Sequence, residues 1–120
     1  MSKNLALLKL FLPDLLFTYF DLVKQEKKED SIHLYFEEYN DSSFIEANIK
    51  VHSKGFYQQS TVQDFPIRGK SVYLHIKRRK WMNIETKEIL FRDWNMVAKG
   101  TRMTSDFATF LKGIHIKLSN

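Results

Sequence analysis

Alternation of apolar and polar residues is the most regular pattern in this chain, and it predicts β-strands. Over residues 31–38 the apolar side chains fall at alternate positions, which is typical of a strand with one buried face. Residues 71–81 alternate over a longer stretch, and residues 88–94 are predicted to return beside them after a tight polar connection at 82–87. A further strand is predicted at 57–65. The pattern therefore predicts a small, mostly antiparallel sheet.

Helical spacing is confined to the two ends of the chain. Near the start, leucines recur at helical spacing, and Pro13 followed by Asp14 favours the first turn of a new helix. Near the end, Thr104 is a typical N-cap for a helix within 104–120. The predicted fold class is therefore α+β, with a small, mostly antiparallel sheet that contains a ribbon-like hairpin at 71–94. N-terminal and C-terminal helices are expected to flank this sheet.

The length of 120 residues fits a single domain, 1–120. Within it, residues 1–50 are predicted to form a Leu-rich helical start followed by a strand or hairpin, and residues 51–103 a basic β region. Residues 104–120 are predicted to form the C-terminal helix.

The start of the chain is apolar enough to be a candidate membrane or export segment. Charged residues and a proline interrupt the apolar run over 5–23, so it fits neither a spanning helix nor a signal peptide. We therefore expect no membrane partner, and a cytoplasmic location.

Charge is divided unevenly along the chain. The formal net charge is +5, with −3 in residues 1–65 and +8 in residues 66–120. A strongly basic half beside a mildly acidic half favours a polyanion as the partner of the basic half. Cysteine is absent, which excludes disulfides, thiolate zinc sites, iron–sulfur clusters and a cysteine nucleophile.

The candidate binding chemistry lies on the predicted strand 71–81. One of its faces is apolar, and the other interleaves aromatic and cationic residues, ending in four consecutive cations at 77–80. Because neighbouring cations repel until an anion neutralises them, this run predicts contacts with phosphates. The predicted DNA-binding residues are Arg68, Lys70, Lys77, Arg78, Arg79, Lys80, Arg92 and Lys99. Tyr73 and Trp81 are candidates for base stacking. The alternative interpretation is a solvated strand end, with Trp81 and Trp94 in the core.

No pattern typical of catalysis is found in the sequence. The acidic residues show no pairing, and there is neither a Gly-rich phosphate loop nor a Gly-x-Ser-x-Gly turn. The four histidines are scattered. A metal site built from His33, His75 and carboxylates is conceivable, but surface or packing histidines fit this spacing better. The sequence therefore predicts no enzyme, no metal and no cofactor.

Two stretches of the chain carry a resemblance to a known family. They are QDFPIRGKSVYLHIKRRKW at 63–81, and FRDWN at 91–95 followed by AKGTRMT at 98–104. With LPD at 12–14 and SKGFY at 53–57, they resemble the N-terminal region of insertion-sequence transposases of the ISAon type. In that group this region is encoded as a short frame separate from the catalytic part.

The resemblance implies a non-catalytic region that binds double-stranded DNA and assists recognition of the element's terminal inverted repeats. Catalysis would belong to a separate DDE transposase chain, which is then a partner. A wider similarity relates the chain to the zinc-ribbon module of ISL-three-group transposases, in which a helix-turn-helix follows. Here the knuckle at 82–87 has no cysteine, so the implied ribbon is metal-free and held by packing of Trp81, Phe91 and Trp94.

Two other functions remain open at this point. In the first, the chain is a protein-interaction module whose apolar residues 5–20 dock on the catalytic transposase chain. In the second, it binds single-stranded nucleic acid by stacking bases on Tyr73 and Trp81.

Overall fold

The computed structural model of the chain describes residues 8–10 and 12–94. Of these residues, 52% lie in strands and 12% in helices. Residues 8–10 are helical, and helix α1 spans Asp14–Tyr19. The seven strands are β1 Phe20–Lys27, β2 Ser31–Glu38, β3 Val51–Phe56, β4 Ser60–Ile67, β5 Lys70–Lys77, β6 Arg79–Asn83 and β7 Ile89–Leu90.

The strands form two sheets, which are connected by the continuous chain segment that runs from β5 into β6. The first sheet has the order β1-β2-β5-β4, and the second has the order β3-β6-β7. In the first, two antiparallel hairpins, β1–β2 and β4–β5, are joined by the parallel pairing of β2 with β5, where Ser31 lies opposite Ser71. Only Arg78 separates β5 from β6. The chain therefore passes directly from one sheet into the other.

The predicted α+β class is wrong. The described chain is mostly β, with two sheets of four and three strands, and its two short helices do not flank them. Helix α1 ends early because Phe20 adopts extended angles (φ −129°, ψ 153°) and begins β1. The predicted hairpin at 71–94 is also shorter than expected, since only β6 and β7 pair within it. The predicted C-terminal helix at 104–120 lies outside the described residues.

Two local predictions are confirmed. The strand predicted at 31–38 is β2, with the expected bounds. The helix predicted to start after Pro13 is α1, whose first residue is Asp14. Proline fixes φ near the helical value and lacks an N–H, so it suits the start of a helix. In both cases the decisive information is local in the sequence.

The main core lies between α1 and one face of the first sheet. Leu15 and Leu16 of α1 pack against alternate residues of the central strands, and Leu12 joins them. Trp94 completes this cluster, with its ring stacked at 5.1 Å on that of Phe20. Burial of one such leucine contributes roughly 2 kcal/mol. The apolar start of the chain is thus largely core from Leu12 onward.

Within residues 8–10 and 12–94, no helix combines the length and the apolar character needed to cross a membrane.

Candidate nucleic-acid interface

The predicted basic run does not form one continuous cationic patch. Its members are Lys77, Arg78, Arg79 and Lys80. Along β5 the buried residues are Val72, Leu74 and Ile76, whereas in β6 the buried residue is Trp81. The alternation of buried and exposed positions shifts at the junction of the two sheets. The side chains of successive cations therefore lie in different environments.

A buried carboxylate holds two of the predicted DNA-binding arginines. Glu38, at the end of β2, is 1% exposed. Its Oε1 accepts the backbone N–H of Arg79 at 2.8 Å, and its Oε2 accepts Arg92 Nε at 3.3 Å. Arg92 also donates to the Asp41 carbonyl at 3.0 Å, and Arg79 Nη1 donates to Ser53 Oγ at 2.7 Å. These bonds direct both guanidinium groups into the protein.

Aromatic rings enclose the same arginines. The Arg92 guanidinium lies 4.5 Å from the centre of the Tyr19 ring and 4.6 Å from that of Phe44. The Arg79 guanidinium lies 4.3 Å from the centre of the Phe56 ring. Such cation–π contacts stabilise a cation that is shielded from water. The structure therefore assigns Arg92, which is 8% exposed, to the interior, where it is not available for the phosphate contact predicted from the sequence.

The environment of Glu38 predicts a pH-dependent stability. Burial raises the pKa of Glu38 from 4.5 to about 7, against the opposing effects of Arg79 and Arg92. The folded chain thus binds this proton more tightly than the unfolded chain does. The resulting stability is fully present below pH 4.5 and is lost as the pH rises through 7. We expect the free energy of unfolding to fall by up to about 1.4 kcal/mol per pH unit in this window.

Urea unfolding of the parent chain and of Glu38→Gln, at pH 5 and pH 7.5, measures this effect. The glutamine variant lacks the titrating group, so its stability is expected to fall less than that of the parent. An equal fall in the two proteins would show that other groups cause it.

Two lysines lie at non-buried positions of the second sheet. Lys80 lies on the face of β6 opposite Trp81, with its Nζ 4.9 Å from the centre of the Tyr57 ring. On β3, Ser53 faces inward and its neighbour Lys54 is exposed. Within the described part of the chain, neither Lys54 nor Lys80 forms an ion pair. We call Lys54, Tyr57 and Lys80 the basic face.

The two remaining members of the run take different positions. Arg78 is 4% exposed, and its guanidinium lies 5.5 Å from the centre of the Tyr57 ring, beneath the basic face. Lys77 lies at the end of β5, on the other side of the first sheet from the core, with its Nζ 4.0 Å from Glu37 Oε2. The side chains of Lys77 and Glu37 are both partly exposed, so this ion pair holds Lys77 only weakly.

The open face of the first sheet carries a group of aromatic rings. His33 and Tyr35 of β2 lie opposite Tyr73 and His75 of β5, respectively. The His33 and Tyr73 ring centres are 5.1 Å apart, and those of Tyr35 and His75 are 4.4 Å apart, with nearly parallel planes. We call these four residues the aromatic face. It contains Tyr73, one of the two predicted stacking residues.

Hydrogen bonds link the two histidines of the aromatic face to each other and to hydroxyl groups. His33 Nδ1 lies 2.8 Å from His75 Nε2. His33 Nε2 lies 3.2 Å from Ser31 Oγ, and His75 Nδ1 lies 2.8 Å from Thr61 Oγ1. Burial, and then the charge on His33, lower the pKa of His75, which favours its neutral form. The sequence names both histidines as conceivable metal ligands, but their hydrogen bond could not be predicted, because 42 residues separate them and no local pattern shows a parallel pairing.

Two predicted contacts lie at the opposite end of the first sheet. Arg68 is exposed in the β4–β5 turn, where it and Gly69 have positive φ angles of 52° and 78°, as two-residue hairpin turns require. Lys70 Nζ donates to the carbonyls of Lys28 and Glu29, both at 3.0 Å. Lys70 thus joins the two turns at this end, far from the basic face.

The second predicted stacking residue does not lie at the surface. Trp81 is 1% exposed, and its Nε1 donates to Asn40 Oδ1 at 2.9 Å. Its ring also meets the edge of Phe44 at 5.1 Å. Trp81 is therefore a core residue of the second sheet rather than a stacking platform. Lys99 lies outside the described residues.

Comparison with known proteins gives no match: no protein-family model matches the sequence, and no curated protein or solved structure matches the chain.

Proposed function

We propose that this chain is a non-catalytic DNA-binding region of an insertion-sequence transposase, which assists recognition of the element's terminal inverted repeats. The observation that supports it most is the basic face, where Lys80 lies beside Tyr57, Lys54 is exposed on the neighbouring strand, and neither lysine forms an ion pair within the described residues. Such cations attract phosphates, and the counterions released from DNA then favour binding. The resemblance found in the sequence supplies the target, the ends of the element.

In this proposal two groups of residues have different roles: they comprise four predicted contacts, Lys77, Lys80, Arg79 and Arg92, and Lys54, which the sequence did not predict. Lys54, Lys80 and Lys77 contact phosphates, which positions the protein on the duplex without reading its sequence. Arg92 and Arg79 support this surface instead, because Arg92 donates to the buried Glu38 carboxylate and the Arg79 guanidinium donates to the Glu38 carbonyl and to Ser53 Oγ. DNA cleavage belongs to a separate catalytic chain, and the complex acts in the cytoplasm.

The alternative function, docking of residues 5–20 on the catalytic chain, has less support. This docking hypothesis rests on the expectation that residues near the start of the chain expose an excess of apolar surface. Leu12, Leu15, Leu16 and Phe20 are each at most 5% exposed, in the chain's own core. Leu10, at 78% exposed, is an exception.

Removal of the two lysines of the basic face tests the proposal. We expect Lys54→Gln/Lys80→Gln to weaken binding to a duplex carrying the terminal repeat and to a scrambled duplex alike. The salt dependence should become shallower by about two phosphate contacts, roughly 1.8 in the slope of log K against log salt. Fluorescence anisotropy across a salt series measures both quantities.

The matched control is Lys27→Gln/Lys28→Gln, which removes the same charge from exposed positions at the other end of the first sheet. The control should bind as the parent does. Tighter binding to the repeat than to the scrambled duplex would support sequence recognition. Equal loss of affinity in both double variants would show that net charge alone, and not the basic face, determines binding. Absence of binding by the parent chain would overturn the proposal.

A further inference from the structure

The two histidines of the aromatic face form a direct hydrogen bond between their rings. Their ring planes differ by only 11°, and their centres are 5.1 Å apart. Because His33 Nδ1 and His75 Nε2 are much closer, at 2.8 Å, the rings lie side by side in nearly one plane, with these two nitrogens aimed at each other. One hydrogen therefore lies between them. We call these two atoms the inner nitrogens and the other two ring nitrogens the outer nitrogens.

The outer nitrogens extend this hydrogen bond into a chain across three strands. His33 Nε2 lies 3.2 Å from Ser31 Oγ of β2, and His75 Nδ1 lies 2.8 Å from Thr61 Oγ1 of β4. The neutral pair holds two ring hydrogens, one between the inner nitrogens and one on an outer nitrogen, which donates it to its hydroxyl. The other outer nitrogen accepts from its own hydroxyl. All four ring nitrogens thus have partners when the pair is neutral.

One additional proton fits this chain without movement of the rings. It binds the outer nitrogen that lacks a hydrogen, and the hydroxyl beside that nitrogen turns from donor to acceptor. The hydrogen between the inner nitrogens stays in place. Because the pair now carries a positive charge, this hydrogen bond becomes stronger.

A second additional proton does not fit the closed pair. Both nitrogens of each ring would then carry hydrogen, so two hydrogens would have to share the 2.8 Å between the inner nitrogens. The rings must separate instead, since the hydrogen bond is lost and two like charges repel each other. The Tyr73 ring lies 5.1 Å from that of His33, and the Tyr35 ring lies 4.4 Å from that of His75. Separation therefore disturbs the whole aromatic face.

We propose that the His33–His75 pair is a pH-sensitive junction of the first sheet, which takes up one proton while closed and opens when it takes up the second. His33 belongs to β2 and His75 to β5, the parallel pair that joins the two hairpins of this sheet. Through Thr61, the same chain of hydrogen bonds reaches β4. Opening of the pair thus loosens the contact between the two hairpins. This inference does not depend on the proposed DNA-binding function.

The other charged and titratable groups around the pair come from three strands and one turn. Those on this face within the described residues are Asp21, Lys24 and Glu26 of β1, Lys28 of the β1–β2 turn, Tyr35 and Glu37 of β2, and Tyr73 and Lys77 of β5. From β4 the pair meets uncharged groups, Thr61 and Gln63. The hydrogen bond from the Tyr35 hydroxyl, at 2.6 Å, lowers the pKa of Glu26. Glu26 therefore stays ionised and favours the first proton on the pair.

The stability that the closed pair contributes is lost in acid. Burial, and then the charge on His33, lower the pKa of His75 from 6.5, and the opposing effect of Glu26 is smaller. This stability is therefore present above pH 6.5 and decreases as the pH falls below that value. As the second proton binds, the open pair holds one proton more than the closed pair. The ratio of open to closed pairs should then grow by up to about tenfold per pH unit.

An NMR titration of the histidine ring nitrogens in the unaltered chain, from pH 8 to pH 4, tests the junction. We expect the resonances of His33 and His75 to move together, in two steps at least about one pH unit apart, because the two rings share the first proton. Hydrogen exchange of the backbone amides, expressed as protection factors, measures the opening. Protection of β2 and β5 should fall during the second step before that of β3 and β6.

His33→Gln leaves a single titrating ring at the junction. His75 should then titrate in one step, at a higher pH than the second step of the parent, and the early loss of protection in β2 and β5 should disappear. The matched control is His52→Gln, because His52 is an exposed histidine of β3 in the second sheet. This control should keep both steps.

The titration of the parent chain decides the question even if His33→Gln fails to fold. Separate single-step titrations of His33 and His75 in the parent overturn the junction. Two steps that persist for His75 in His33→Gln overturn it as well. Equal loss of protection in both sheets would do the same, because acid would then destabilise the chain as a whole.

Discussion

Glu38→Ala is expected to lower the free energy of unfolding by about 3–5 kcal/mol at pH 8, where this carboxylate is ionised. The reason is the arginine that would remain. Arg92 is 8% exposed and ion-paired to Glu38 Oε2 at 3.3 Å, so the substitution leaves a cation in the interior without its counter-charge. The backbone N–H of Arg79 loses its acceptor as well. Urea unfolding followed by circular dichroism measures the change.

Two further variants serve as controls for Glu38→Ala. Glu38→Gln keeps an oxygen that can accept a hydrogen bond and should lose less stability than the alanine variant. The adjacent Glu37→Ala breaks the exposed pair with Lys77, and should change the free energy of unfolding by less than about 1 kcal/mol. If Glu38→Ala were as mild as Glu37→Ala, the buried network would not be a major source of stability.

Trp81→Ala is expected to cost about 3–5 kcal/mol of unfolding free energy, because it removes the largest buried side chain of the second sheet. The cavity would open between β6 and the segment that carries Asn40 and Phe44, both of which contact the indole. Since the basic face lies on the other side of β6, DNA affinity should decrease as well. Thermal unfolding and fluorescence anisotropy on the same samples measure the two effects.

Trp81→Phe separates packing from base stacking. Phenylalanine keeps most of the buried volume and loses the hydrogen bond to Asn40, so we expect a loss of about 1–2 kcal/mol and unchanged affinity for DNA. A folded Trp81→Phe that binds DNA much more weakly than the parent would indicate that the indole contacts nucleic acid. That outcome would contradict the burial of Trp81.

The parts of the fold that could be predicted are those set by neighbouring residues. The alternating residues of β2 and the Pro13–Asp14 start of α1 both belong to this group. The pairing of β2 with β5 could not be predicted, because a parallel pairing of distant segments leaves no mark in either strand. The fold class was wrong because the described helices are short and the strands fill two sheets rather than one. An alternating pattern predicts strands, but it does not show that they divide between two sheets.

The site could be predicted only in part, because the prediction assumed one uninterrupted strand over 71–81. Constant alternation would place Tyr73 and Trp81 on the same open face. In the structure the strand is interrupted at Arg78, after which Trp81 is buried while Tyr73 stays on the aromatic face. The partner of Arg92 could not be foreseen either, since Glu38 lies 54 residues away in sequence.

The register of the two central strands has a consequence for how the chain is made. Residues 31–37 of β2 each pair with the residue 40 positions later, from Ser31 with Ser71 to Glu37 with Lys77. At a synthesis rate of about 5–20 residues per second, β5 leaves the ribosome roughly 2–8 s after β2. During that interval the β1–β2 hairpin is complete but one of its edges has no partner. The first sheet therefore cannot be completed until β5 has been synthesised. Until then, the unpaired edge of β2 is exposed to pairing with a strand of another chain.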